Sequence, residues 1–289
     1  MKKKSRGARL ENAKKGFLYS FVRSPKGMFG FCLFSLIVLA IFLAPLFFKL
    51  DAEQVYFITN KAPSKEHILG LDTAFQDCFS KLIVGGRVSL LVGLGTSLLT
   101  MLIGIPLGLA AGFYQGKVGA AVNRAADLFL SFPMIVLLLL LVAVFQRVSA
   151  GLVVVALGIL SWPGTAKILY STVITVMNSE YVEAARAMGK SNARIMFTDV
   201  FLNSITPILV SLPFRISMSV MMETSLAFLG VGIATSWGRQ IYLATQMNVM
   251  VNQMWMWLPA AVCLVAVIVS VNCLGEGIRD SYDPKIARR

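Results

Sequence analysis

Charge is scarce in this 289-residue sequence: Asp, Glu, Lys and Arg together make up 14%, against roughly 25% in an average soluble domain. With 57% hydrophobic residues and a mean hydropathy of +0.74, that scarcity excludes disorder and weighs heavily against a water-soluble globule. Histidine is reduced to His67, and Cys32, Cys78, Cys263 and Cys273 are scattered with no C-x-x-C pair. A Cys/His metal site, a thiol redox motif and a disulfide framework are thereby excluded. Acids are also few, 14 against 27 basic residues, for a net charge of +13. Apolar bulk with basic excess fits a membrane protein with basic ends better than a nucleic-acid binder.

Apolar runs are what the sequence has in quantity. A bilayer core about 30 Å thick needs about 20 apolar residues as helix. Six segments qualify, near 28–48, 88–112, 126–146, 150–170, 204–230 and 257–275. The expected fold is all-α and polytopic, divided into a basic tail (1–27), a first span (28–48), an outer segment (49–85), a core (86–275) and a second tail (276–289). The first run is longer than the roughly 7–15 residues of a signal-peptide core, so it reads as a retained span. The fifth is impure, holding Pro207, Pro213, Arg215 and Glu223.

With six spans and the N-terminus inside, both termini are cytoplasmic. The inside then carries 19 basic and 8 acidic residues, the outside 7 and 5, as the positive-inside rule requires. Trp162, Trp237, Trp255 and Trp257 fall near span ends or in the outer loop and suit interfacial anchoring. Gly104, Gly108 and Gly112 form a tandem G-x-x-x-G face, which favours close packing within the chain over a dimer contact.

Two phosphate-site decoys fail. Met188-Gly189-Lys190-Ser191 resembles the end of a P-loop, but Ala184 stands where the first glycine belongs. Gly93-Leu94-Gly95 has Leu98 in place of a third glycine and lies inside a span. This chain therefore has no nucleotide site of its own, and no catalytic or metal site.

Residues 178–203 read as a short amphipathic helix–turn–helix on the inner side. Asn178 or Ser179 caps the first helix, with Glu180 and Glu183 in its first turns. Tyr181, Ala184, Ala185 and Met188 recur at helical spacing, and Gly189 ends the helix. Ser191 or Asn192 caps the second helix, where Ala193, Met196, Phe197 and Val200 repeat the spacing; Arg186, Lys190 and Arg194 form a basic flank. Two readings are open, a helix pair resting on headgroups and a docking surface for a partner protein. The small Ala184-Ala185 pair argues for the second.

Glu180-Tyr181-Val182-Glu183-Ala184-Ala185-Arg186-Ala187-Met188-Gly189 resembles the E-A-A-x-x-x-G loop of permease subunits of bacterial ABC importers. Over nearly its whole length the chain is similar to the second (C-type) permease of the dipeptide, oligopeptide and nickel importers. Further motifs stand in the family's order: Arg23-Ser24-Pro25, His67-Ile68-Leu69-Gly70-Leu71-Asp72, Gly86-Arg87-Val88-Ser89, Ser131-Phe132-Pro133, Trp162-Pro163-Gly164, Glu223 to Gly232, Ser236-Trp237-Gly238, and Gly275 to Asp280 with Asp283-Pro284. Two features depart from the pattern. Phe201-Leu202-Asn203 replaces the family's Leu-Pro-Asn, so the second loop helix is free to run on into span five. The segment between Gly232 and Ser236 lacks the family's Pro-rich insert.

The resemblance implies a type I importer permease fold in a bacterial inner membrane. It implies a heterodimer with a second permease, two cytoplasmic ATPases and an extracytoplasmic substrate-binding protein, with surrounding lipid and no nucleic acid. No cofactor is expected on this chain; ATP and Mg belong to the ATPases. The coupling contacts fall on Tyr181, Glu183, Ala184, Ala185, Arg186, Met188, Gly189, Arg194 and Phe197. Peptides are the expected cargo, with nickel, a metal–metallophore complex or glutathione as the alternative. Arg215 and Glu223 are candidate pathway residues, since ionisable groups inside a span are costly; for Glu223 a structural pairing is the rival reading. A partner-independent transporter using Glu223 is a remote alternative, since such proteins show internal repeats and none is visible here. A membrane-embedded enzyme would need clustered His, Asp or Cys, which the sequence lacks. The outer segment 49–85 either receives the binding protein or only packs as a plug.

Overall fold

The computed structural model describes residues 19–57, 61–145 and 148–282. Expectations for the first eighteen residues, Arg147 and Asp283-Pro284 lie outside them. The described residues fold as α1 (Pro25–Phe47), α2 (Cys78–Tyr114), α3 (Gly116–Ser131), α4 (Met134–Val144), α5 (Ala150–Met177), α6 (Glu180–Ala187), α7 (Asn192–Ser204), α8 (Thr206–Phe228), α9 (Trp237–Tyr242), α10 (Met247–Asn252) and α11 (Leu258–Tyr282). Among them there is no strand, only two isolated bridges, Val55 with Gln76 and Leu71 with Asp77.

Helices α1, α2, α5 and α11 are each long and apolar enough to cross a membrane alone. The other two spans are bent pairs, α3 with α4 at 79° and α7 with α8 at 53°. The expected span near 126–146 is thus a bent pair of helices rather than one continuous helix. The cause is local: Pro133 disfavours helix at the residue before it, and Phe132 is extended (φ −98°, ψ 137°). Other spans outrun their expected ends, with α2 starting at Cys78 and α11 continuing to Tyr282.

Side-chain caps fix several starts. Ser24 accepts from Gly27 N ahead of Pro25, Asp77 accepts from Ser80 N, and Ser149 accepts from Leu152 N, which supplies partners to otherwise unpaired amides. The Gly104-Gly108-Gly112 face packs on α5 inside the chain. A Cβ on Gly108 would lie 2.6 Å from Ala166 O, and one on Gly112 would lie 2.6 Å from Val173 Cβ. A second glycine seam joins α1 to α11, where a Cβ on Gly27 would lie 3.0 Å from Gly277 Cα and Lys26 pairs with Glu276 at 2.7 Å.

Residues 49–57 and 61–77 fold as a cap over one end of the helices, the end opposite α6 and α7. His67 Nδ1 meets Asp77 Oδ2 at 2.9 Å. Asp72 accepts from Ala74 N and Gln76 N and pairs with Lys81. Burial, with the Asp77 and Asp51 carboxylates, pushes the Tyr56 phenol up, so it stays neutral and edge-on to His67. Leu71 is fully buried, and its carbonyl accepts from Trp255 Nε1 at 3.4 Å. The tryptophans correct the anchoring expectation in part: Trp237 and Trp162 are core residues, 0% and 6% exposed.

Candidate functional site

The helix–turn–helix of 178–203 forms as expected, with a different division of its faces. Val182 and Ala185, three residues apart, turn inward from α6, and Ile195 and Val200 turn inward from α7. They join Leu109, Phe113, Leu169, Val173 and Ile208 in one core cluster. The outward side keeps Tyr181, Ala184, Met188 and Phe197 exposed, along with Glu183, Arg186 and Arg194. Thus Ala185 leaves the face it was expected to share with Tyr181, Ala184 and Met188, and Val200 leaves that of Ala193 and Phe197. The physical reason for the second change is that Ile195–Val200 is π-helical. Its wider turn carries residues five apart to one face.

The turn between the helices is tightly specified. Gly189 has φ +72°, a region that costs an L side chain roughly 1–2 kcal/mol. Gly189 N donates to Arg186 O at 2.9 Å and Lys190 N to Ala185 O at 3.2 Å, closing the helix end with its last carbonyls satisfied. Lys190 Nζ then reaches both carboxylate oxygens of Asp199, at 3.2 and 3.1 Å, and clasps α6 to α7. The second helix does run past Leu202, to Ser204, but it bends before α8 instead of continuing straight into it.

Arg215 and Glu223 are set apart. Glu223 is 1% exposed, and its Oε2 accepts from Ser89 Oγ at 3.1 Å. Ser89 Oγ in turn accepts from Trp237 N at 3.4 Å. Glu223 therefore sits where α2, α8 and α9 meet. Arg215 instead borders an open cavity of about 390 Å³ between α2, α3, α4, α5 and α8, whose lining is mostly apolar, with Leu130, Met134 and Met222, but includes the hydroxyls of Ser97, Thr100, Ser161 and Ser211.

The segment Gly85 to Ser89 carries contacts that pattern reading missed. A Cβ on Gly86 would lie 2.7 Å from the Trp237 ring, so glycine seats the indole, whose Nε1 donates to Leu82 O at 2.9 Å. Arg87 donates to Ile41 O from Nη2 at 3.0 Å and Nε at 3.3 Å. Pro45, four residues on, has no N–H to give that carbonyl. The sequence held the signal, a proline inside span one and an arginine opening span two, but not their pairing.

The comparisons with known proteins agree with this geometry. Residues 104–288 match the family model described as "Binding-protein-dependent transport system inner membrane component". The glutathione transport system permease protein GsiD of Pectobacterium atrosepticum is 34% identical over 275 residues, covering 93% of this chain and 89% of that protein. The di/tripeptide transport system permease protein DppC of Pseudomonas aeruginosa is 31% identical, covering 94% and 92%. The oligopeptide transport system permease protein OppC of Bacillus subtilis is 28% identical, covering 95% and 90%. Among solved structures, an inward-facing MetNI methionine ABC transporter chain superposes with a TM-score of 0.60 at 18% identity, over 70% of this chain and 97% of that one.

Proposed function

The chain belongs to the inner-membrane components of binding-protein-dependent transport systems, the permease subunits of ABC importers, and from that premise we propose that it carries small peptides. It forms half of a pathway completed by a second permease. The observation that carries this reading is the outward face of α6 and α7. Tyr181, Ala184, Met188 and Phe197 are left uncovered at one end of the helices, on a base fixed to the core. An ATPase groove that covered this face would bury apolar surface worth about 25 cal/mol per Å². Ala184 permits close approach, and Glu183, Arg186 and Arg194 rim the contact with charge.

Because α6 and α7 share one core with α2, α5 and α8, displacement of the loop by an ATPase tilts those helices together. Close-packed side chains transmit shifts rather than absorb them. In this reading that end is cytoplasmic, which the charge asymmetry supports, and the cap of 49–57 and 61–77 faces the binding protein. The chain supplies no hydrolytic chemistry; ATP and Mg act on two partner ATPases. A glutathione cargo is the second reading, favoured by the 34% identity to a glutathione permease.

The test is reconstitution with the second permease, both ATPases and the binding protein in proteoliposomes. Peptide uptake should require ATP, and Glu183→Lys should lower it while the complex still assembles. Transport by this chain alone, insensitive to ATP, would overturn the reading. Competition between glutathione and tripeptides for the binding protein separates the two cargoes.

A further inference from the structure

Arg215 lies near the centre of the 23-residue α8. A charge there is expensive and persists only with a partner or in a polar cavity. Among the described residues Arg215 forms no ion pair, and its only hydrogen bond runs from Nε to Ser211 Oγ at 3.3 Å. Neither Asp127 nor Glu223 pairs with it. Asp127 pairs with Lys167. Glu223 bonds Ser89, and at eight residues along the helix it stands about 12 Å away by helical rise.

The guanidinium lies over Gly164 of α5, where a Cβ would stand 3.8 Å from Nη1 and 4.0 Å from Nη2. Its planar fork therefore keeps both Nη groups unspent beside the 390 Å³ cavity. That volume falls in the range of small-ligand pockets. Hydroxyls from other helices border the same space. Thr100, 2% exposed, keeps its Oγ1 without a hydrogen-bond partner, and Ser161, one turn from Gly164 on α5, also lines the cavity. A paired fork of N–H donors with nearby hydroxyls matches the two oxygens of a carboxylate.

We propose that Arg215 and the cavity it borders form a carboxylate-recognition station in the translocation pathway, where the free C-terminal carboxylate of a peptide is held during passage. This rests on the peptide-import reading and narrows it, since cargo with a free carboxylate is preferred to the same cargo amidated. The station is a weak one, because transport needs release as much as capture. Its chemistry would also serve the carboxylates of glutathione.

The experiment uses the full importer in proteoliposomes, supplied with binding protein saturated by a pooled tripeptide library or by the same library with amidated C-termini, and reads uptake by mass spectrometry. In the wild type, free-acid peptides should enter faster than amides. Arg215→Gln should cut free-acid uptake about tenfold, as expected for losing a charge-assisted bidentate contact, and leave amide uptake nearly unchanged. Arg215→Lys, which keeps charge without the fork, should fall between. Equal loss for both libraries with reduced assembly would mean that Arg215 pairs with an acid of the second permease, and the proposal would be overturned. It would be overturned equally if Arg215→Gln altered neither uptake. A wild-type complex that imported neither library would instead sink the peptide reading itself.

Discussion

Arg87 solves a problem created 42 residues earlier in the chain. Pro45 leaves Ile41 O without its helical donor, and a carbonyl stranded in an apolar setting costs about 1–3 kcal/mol. Arg87→Ala should therefore lower the thermal stability of the detergent-solubilised complex by about that amount. Arg87→Lys should recover only part of it, because lysine lacks the two-pronged reach seen at Ile41 O. Ser89 is the comparable case among the hydroxyls. Ser89→Ala deprives both the Glu223 carboxylate and Trp237 N of a partner. It should destabilise by about 1–3 kcal/mol in the same melting assay, whereas Glu223→Gln, which still accepts from Ser89, should cost less. At the turn, Gly189→Leu places a side chain at φ +72°. On the proposed coupling role, import should fall while ATP hydrolysis by the assembled complex persists, because the loop would meet an ATPase at a changed angle.

At the scale of elements, the α2–α5 seam is the most demanding contact. Gly108→Leu would drive a side chain into Ala166 backbone, with the first added carbon already 2.6 Å from its carbonyl oxygen. Overpacking of this kind costs about 1–3 kcal/mol or more, so the variant should fail to accumulate in membranes, which immunoblotting would read. This seam was legible in the sequence because glycines spaced four apart mark one helix face. The helix–turn–helix was legible too, from its caps and from Gly189. Its inward face was not, because the π-turn at Ile195–Val200 breaks the 3.6-residue period on which such reading depends. The bend between α3 and α4 was hidden for a related reason. Hydropathy averages over Phe132-Pro133 and registers only apolar length. Proline's effect on its predecessor is local and does not enter that average.

For the whole molecule, apolar length was the readable property and partner surface the unreadable one. Apolar runs suffice to give the spans, since these depend on composition along the chain. Which faces remain uncovered depends on how the helices assemble. Tyr181, Met188 and Phe197 are exposed at one end, and apolar α4 and α8 residues such as Leu140, Met218 and Met221 are exposed along the side. Of these, Met218 lines the Arg215 cavity, and the exposed side is the one the proposed second permease would cover. The chain produced alone should therefore be unstable or self-associate in detergent, and co-production with its permease partner should raise its yield, as size-exclusion chromatography would show.

The seam between α1 and α11 has a consequence for synthesis. Lys26 and Glu276 are 250 residues apart, so among the described spans the first made waits for the last before Gly27 and Gly30 find their seats. Until α11 is inserted, α1 stands in lipid with its glycine notch empty. A chain halted anywhere before Leu258 leaves that notch open, because its partner surface, Ser270 to Gly277, has not yet been made.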